Sequence, residues 1–286
     1  MSDHPTPIVS PATGSRARPR SQAHWSETHD EGMNAFNDVA RRSYEVLLDA
    51  LDWSAPFDAV PGAGRFLNVG VGNAVFPRLL VANSLKERRA PIPTDLLDPS
   101  LFSLNEASRN TGPPFVVQRR LQQRIEDFEP SPRYAVVWAI HSLYCVPPSA
   151  AARAVDALVA ALAPGGTLLL AMPPRDSFYI QVYDAYQRHR ELSEVVSFCS
   201  ADELLPALRA HADLADCESL SIAYEEQTED LGAAELYLQR CVFDETLTLE
   251  DFRQSPALGA LVAAASTPRG FSFPQRVELI RARKRL

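Results

Sequence analysis

Apolar positions first repeat between about Met33 and Leu51, where Phe36, Val39, Tyr44, Leu47, Leu48 and Leu51 recur at steps of three and four. That spacing predicts an amphipathic helix. After Pro61-Gly62 the pattern changes to short apolar runs separated by helix-length segments. Phe66–Val71 predicts a first strand, Val75–Lys86 a helix, and Leu96-Leu97 the core of a second strand. Ser100 is placed to cap a helix reaching about Arg109, and Phe115–Val117 and Tyr134–Ile140 predict the third and fourth strands. A helix around Ser149–Leu162 stops at Pro164-Gly165-Gly166 before a fifth strand, Thr167–Met172. Apolar strands alternating with helices predict an α/β fold: a Rossmann-like, mostly parallel sheet with helices on both faces.

Further along the pattern is less regular. Ser200 and Glu203 have capping-box spacing ahead of Leu204, Leu205 and Leu208. Ser219–Tyr224 and Ser272–Ala282 predict two late strands; Ala233–Phe243 and Leu249–Ala264 predict two helices, the second capped by Thr248. Two strands after the fifth fit an antiparallel C-terminal edge, which makes seven strands. Residues 1–21 are rich in proline and hydroxyl side chains, with Arg16, Arg18 and Arg20 and little apolar pattern. Such a segment cannot repay its ordering entropy and is expected to be a disordered tail. Residues 22–286 then form a single domain, with 22–60 as a helical N-terminal cap or lid.

Composition changes this picture little. The chain has 286 residues, 46% of them apolar, enough for one sizeable core. No apolar run approaches the ~20 residues that span a bilayer, and the N-terminus has no apolar signal core. A soluble, cytoplasmic protein with no membrane partner is the expectation. The net charge of −8 argues against a nucleic-acid partner; the cluster Arg119, Arg120 and Arg124 reads as solvated surface. Cys145, Cys199, Cys217 and Cys241 have neither zinc-ligand nor C-x-x-C spacing.

The candidate chemistry sits in Arg65-Phe66-Leu67-Asn68-Val69-Gly70-Val71-Gly72-Asn73-Ala74 and, one strand later, Leu97-Asp98-Pro99-Ser100. Glycines after a buried strand let the backbone approach a ligand, and an acid at the next strand tip can accept both ribose hydroxyls. A nicotinamide or flavin site would want a third glycine, where Val75 stands, and a P-loop would want Gly-Lys-Ser/Thr. A ligand with a ribose but no pyrophosphate remains, and S-adenosylmethionine fits that description.

Together with Trp138-Ala139-Ile140-His141-Ser142-Leu143-Tyr144, Pro164-Gly165-Gly166-Thr167-Leu168-Leu169 and Ser200-Ala201-Asp202-Glu203-Leu204, these stretches resemble class I S-adenosylmethionine-dependent methyltransferases. Within that class the chain is similar to histamine N-methyltransferase over most of its length after the tail. The resemblance implies that Gly70 and Gly72, with Asn73, lie under the methionine part of the cofactor. It implies that Asp98, flanked by Pro99 and Ser100, takes the ribose, where that family has a glutamate. Gln122 falls at the adenine contact (Gln123 is its neighbour) and Ile140 at the strand-four contact. On the acceptor side, His141 stands where the family has a glutamine, and Tyr179 and Tyr183 where it has tryptophans. Tyr144 matches a tyrosine, Gln275 approximately matches an asparagine, and Glu27 or Thr28 falls near an N-terminal glutamate. Asn68, where many members carry an acid, and Ala74, for a third glycine, are departures on the cofactor side.

Methyl transfer asks an enzyme mainly to align a nucleophile and exclude water. His141, at the carboxyl edge of the sheet with an ordinary pKa near neutrality, is the candidate proton acceptor. Tyr144, Tyr179 and Tyr183 are candidates for an aromatic wall favouring positive charge; the alternative for Tyr179 and Tyr183, four apart, is a helix stripe packing on the sheet. His24, Glu27 and His29, near Trp25, are candidates to close over the acceptor; their spacing matches no metal site, and none is expected. The acceptor is expected to be a small molecule methylated at an amine or imidazole nitrogen. The alternatives are carbon or oxygen methylation in specialised metabolism, and a non-catalytic S-adenosylmethionine-binding protein.

Overall fold

A computed structural model describes residues 8–9, 36–59, 64–131, 133–190 and 197–286. Its strands are β1 (Ile8–Val9), β2 (Phe66–Val69), β3 (Ile92–Leu97), β4 (Phe115–Leu121), β5 (Tyr134–Ile140), β6 (Leu162–Met172), β7 (Leu214–Thr228), β8 (Ser266–Thr267) and β9 (Gly270–Lys284). The sheet order is β1-β4-β3-β2-β5-β6-β9-β7, with β8 paired to β9. β1 to β6 pair in parallel, and β9 runs antiparallel to both β6 and β7. The seven expected strands and the antiparallel edge are all present; β1 and β8, two residues each, are additional. β1 lies inside the segment expected to be a disordered tail, most of which is outside the described residues.

Alternation explains how two cores form on one sheet. Successive side chains of a strand point to opposite faces. Leu67, Val69, Val137, Ala139, Leu168 and Leu170 therefore share one face, against the helices Ala151–Ala161 and Ala201–Ala210. Phe66, Val136, Trp138, Leu169 and Ala171 share the other, against Arg41–Ala50, Trp53, Phe57 and the helix Val75–Asn83. Trp138 is fully buried there among rings, its centroid 4.5 Å from Phe66 and 5.4 Å from Phe76. A strand such as Tyr-Ala-Val-Val-Trp-Ala-Ile, apolar on both faces, is stable only when covered twice.

The late elements depart most from expectation. β7 and β9 each run 15 residues, well past Ser219–Tyr224 and Ser272–Ala282. β6 ends where Met172 pairs with Glu278, so residues 270–277 continue past the carboxyl edge of the parallel sheet, paired to β7. That two-stranded ribbon is backed by helices Phe178–Arg190, Leu231–Val242 and Gly259–Ala265 around Phe271 and Phe273. The expected helix Leu249–Ala264 is two, Leu249–Gln254 and Gly259–Ala265. The residue before a proline disfavours helical backbone, and Ser255-Pro256 breaks it. The caps Ser100, Ser200 and Thr248 each accept a backbone N–H, the last two within capping boxes.

The arginine cluster is not loose surface. Arg119 bonds the buried Asp95 at 2.9 Å and the Tyr134 hydroxyl at 2.8 Å; Arg120 bonds Asn105, and Arg124 pairs with Glu126. Among the described residues, none of the four cysteines is in a disulfide. Among the described residues, no helix is long and apolar enough to cross a membrane.

Candidate active site

A cavity of about 200 Å³ lies at the carboxyl edge of β2, β3 and β5, between the sheet and the ribbon. On the sheet side, Gly70, Gly72, Asn73, Asp98, Pro99 and Ser100 line it, with Ile140 beside them at the end of β5. His141 and Tyr144 from the loop after β5, Tyr179 from the helix Phe178–Arg190 and Gln275 from the ribbon line it as well. Gln122 and Tyr183 are outside this lining, and Glu27 and His29 lie outside the described residues.

The turn after β2 is left-handed at Gly70 (φ +66°), Gly72 (φ +50°) and Ala74 (φ +61°). The two glycines serve different ends. A Cβ on Gly70 would sit 2.2 Å from the Ser142 Cβ, and Ser142 Oγ donates to the Val69 carbonyl at 3.0 Å. Gly70 thus lets the loops after β2 and β5 pack together. A Cβ on Gly72 would meet nothing within 4 Å and would intrude into the cavity. Gly70→Ala should therefore destabilise the fold by roughly 3 kcal/mol or more through overpacking and a left-handed alanine. Gly72→Ala should cost only about 1–2 kcal/mol for its backbone, yet weaken cofactor binding. Chemical denaturation and S-adenosylhomocysteine titration of the two variants check this contrast.

Asp98, at the tip of β3, is buried, and its Oδ1 accepts the Ser100 N–H at 2.8 Å. Burial pushes its pKa up to about 6, while the N–H groups of Ser100, Gly72 and Val71 pull it back. Asn68 also lines the cavity, and its Oδ1 accepts the Trp138 indole N–H at 2.7 Å. Gln122 turns its amide to the Pro99 carbonyl at 3.4 Å, and Gln123 lines the cavity instead.

His141 leaves β5 with φ +50°, and its backbone N–H bonds the Ala171 carbonyl at 3.0 Å. Burial lowers its pKa to about 4, against an opposing backbone hydrogen bond at Ser43. The imidazole is therefore neutral at physiological pH. Its Nε2 is buried and bonded by none of the described residues. The Tyr44 ring meets it edge-on at 5.5 Å. Tyr144 and Tyr179 meet edge-to-face at 5.1 Å, and Phe198 stacks on Tyr179 at 5.3 Å. Tyr183 stacks on Phe198 at 3.7 Å and meets Phe243 edge-on at 6.1 Å. It belongs to the core stripe, not to the cavity wall.

Sequence reasoning missed the ribbon's contribution. Tyr224 and Glu226, two apart on β7, and Tyr237 behind them also line the cavity. Gln275 ties them together. Its Nε2 donates to Glu226 Oε2 at 3.1 Å and to the Tyr237 hydroxyl at 2.7 Å, and its Oε1 accepts from Ser177 Oγ at 2.6 Å and the Tyr179 N–H at 3.3 Å. The Tyr237 hydroxyl also donates to Glu226 Oε2. Burial raises the Glu226 pKa to about 7, with the Tyr237 and Gln275 bonds opposing. The one available signal was Tyr224 and Glu226 at strand spacing beyond the last apolar residue.

The sheet side fits S-adenosylmethionine: Gly72 leaves the space a Cβ would fill, and Asp98 presents a carboxylate of the kind a ribose diol requires. Three solved structures are similar to this chain, and the first two share its fold. A candidate methyltransferase of Bacillus halodurans C-125 is 16% identical, with a TM-score of 0.53 over 82% of this chain and 98% of that one. A candidate sarcosine dimethylglycine methyltransferase of Galdieria sulphuraria is 12% identical, with a TM-score of 0.51 over 86% of each chain. A possible histamine N-methyltransferase of Thermotoga maritima is 16% identical, with a TM-score of 0.49 over 92% and 99%. Among curated proteins, none matches this sequence. A family model described as a methyltransferase domain matches residues 39–215, well over half of the chain. This chain belongs to that family, and it is an S-adenosylmethionine-dependent methyltransferase.

Proposed function

We propose that the enzyme methylates a nitrogen of a small molecule, an amine or an imidazole. The observation that carries this reading is one cavity joining the Gly72–Asp98 edge to an aromatic pocket with a neutral imidazole, whose Nε2 is bonded by none of the described residues. When bound, the cofactor supplies a methyl group on a positively charged sulfur, an electrophile that needs no further activation. The protein's own residues then have three tasks. Asp98 and the Gly70–Gly72 turn hold the donor. His141 Nε2, neutral at working pH, accepts an N–H hydrogen bond and so keeps the nitrogen lone pair free and oriented. Tyr144 and Tyr179 exclude water and favour positive charge by roughly 0.5–2 kcal/mol per ring face. Tyr144 and Gln275, two acceptor positions of the sequence resemblance, both stand in this wall.

The test is transfer of a deuterated methyl group from the cofactor to a panel of small amines, imidazoles, phenols and carbon acids, read by mass spectrometry. Label on amines or imidazoles is expected. Label confined to oxygen or carbon would overturn the reading.

A further inference from the structure

Four charged side chains line the cavity: Asp98, Arg124, Glu126 and Glu226. Arg124 and Glu126 pair with each other at 2.7 Å, and Asp98 belongs to the cofactor edge. Glu226 is left. It is 4% exposed, and among the described residues no cation pairs with it. Both of its hydrogen bonds, from Tyr237 and Gln275, fall on Oε2; Oε1 is bonded by none of the described residues.

A buried carboxylate without a cation is expensive, and such groups persist where a partner arrives to compensate them. The titratable groups facing Glu226 give no such partner. Tyr44 on the helix Arg41–Ala50, Tyr224 on β7, and Tyr237 and Cys241 on the helix Leu231–Val242 are all raised, by burial first and by Glu226 in addition. They are neutral at physiological pH. The carboxylate is also held still: Gln275 has its donor and acceptor ends both engaged, which fixes the amide that positions Oε2. Around it the pocket is aromatic, with Phe36 stacked on Tyr237 at 5.4 Å. A fixed anion in a ring-lined cavity is complementary to a compact organic cation.

We infer that Glu226 anchors the acceptor, and that the acceptor binds as a cation with at least one N–H, an ammonium or imidazolium group. This rests on the reading that the acceptor is a small nitrogen compound, and it adds a residue and a charge state. The cation donates to Oε1. Where the anchored nitrogen is the one methylated, its N–H proton passes to Glu226 Oε1 before transfer, leaving a neutral nitrogen whose lone pair attacks the methyl carbon as the carbon–sulfur bond breaks. Tyr237 and Gln275 are positioning residues acting through Oε2. Because the free carboxyl titrates near neutrality, at about 7, cation binding draws it into the charged form and releases a proton.

The test uses the full-length protein saturated with S-adenosylhomocysteine and matched probes: 2-phenylethylamine against 2-phenylethanol, and histamine against 4-(2-hydroxyethyl)imidazole. Calorimetric titration in two buffers of different ionisation heat reads affinity and proton release together. An amine in at least one pair should bind about tenfold or more tightly than its alcohol, with proton release near neutral pH. In Glu226→Gln, a near-isosteric change, both the preference and the proton release should vanish, while S-adenosylhomocysteine affinity stays within about twofold. Glu226→Asp should keep part of the preference. Equal affinities within both wild-type pairs, or a preference that survives in Glu226→Gln, would overturn the inference. So would a Glu226→Gln protein that loses affinity for S-adenosylmethionine but not for S-adenosylhomocysteine, since the carboxylate would then face the cofactor's sulfonium. Nitrogen methylation without a charge preference would sink this inference alone. A charge preference without nitrogen methylation would sink the proposed function alone.

Discussion

Replacing Asp98 by asparagine should lower affinity for S-adenosylhomocysteine about 100-fold and leave the fold equally or more stable at about pH 8. The affinity loss follows from two ribose hydroxyls donating to one carboxylate, since hydrogen bonds to a charged group contribute about 1.5–3 kcal/mol each. The stability effect has the opposite origin. Burial raises the Asp98 pKa from 3.8 to about 6, so its contribution to stability is fully present below 3.8 and is lost as pH rises through about 6. Above that pH the ionised group costs stability, which asparagine does not. Wild-type affinity should also fall by about tenfold per pH unit below about 6, because the ribose needs the ionised form. In the asparagine variant that slope should disappear. Calorimetric titration and thermal melting at several pH values check both halves. Unchanged affinity would remove Asp98 from the cofactor site.

His141→Ala should lower kcat by about 100-fold with S-adenosylhomocysteine affinity unchanged within about twofold, because an orienting hydrogen bond in a dry site carries roughly 1–3 kcal/mol. The left-handed backbone at φ +50° is no easier for alanine, so the loss belongs to the side chain. His141→Gln keeps a hydrogen-bond acceptor and should recover a good part of the rate. The pH dependence separates a hydrogen-bond acceptor from a titrating base. With its pKa lowered from 6.5 to about 4, His141 stays neutral across the neutral range. Its share of stability is present above 6.5 and is lost as pH falls through about 4. An acid limb near 6.5 in kcat that vanished in His141→Gln would mean that the imidazole titrates during turnover.

The parts of the fold that announced themselves were those buried on both faces. Tyr134–Ile140 is apolar at nearly every position and emerged with the expected ends, and Ser200 and Glu203 formed the cap their spacing implied. The ribbon did not, because an edge strand with solvent on one side needs few apolar residues. Glu225 and Glu226 are adjacent carboxylates, yet one accepts from Ser272 at the surface and the other is buried beside Gln275. Only the register past Met172 distinguishes them. That Gly70, Gly72 and Asp98 would meet at one edge of the sheet was legible because their geometry is local, fixed by one turn and one strand tip. The rest of the cavity wall comes from β7, β9, the loop after β5 and flanking helices, and no local pattern encodes how they meet. Hence Tyr179 lines the cavity while Tyr183, one turn on, packs against Phe198 and Phe243 in the core.

The central claim is that the nucleophile entering this cavity is nitrogen. The most direct measurement offers small molecules carrying an amine and a hydroxyl on one skeleton, such as tyramine and ethanolamine, together with deuterated S-adenosylmethionine, and locates the label by fragmentation. Label on nitrogen is the expected result. Label on oxygen, or on carbon, would contradict the account.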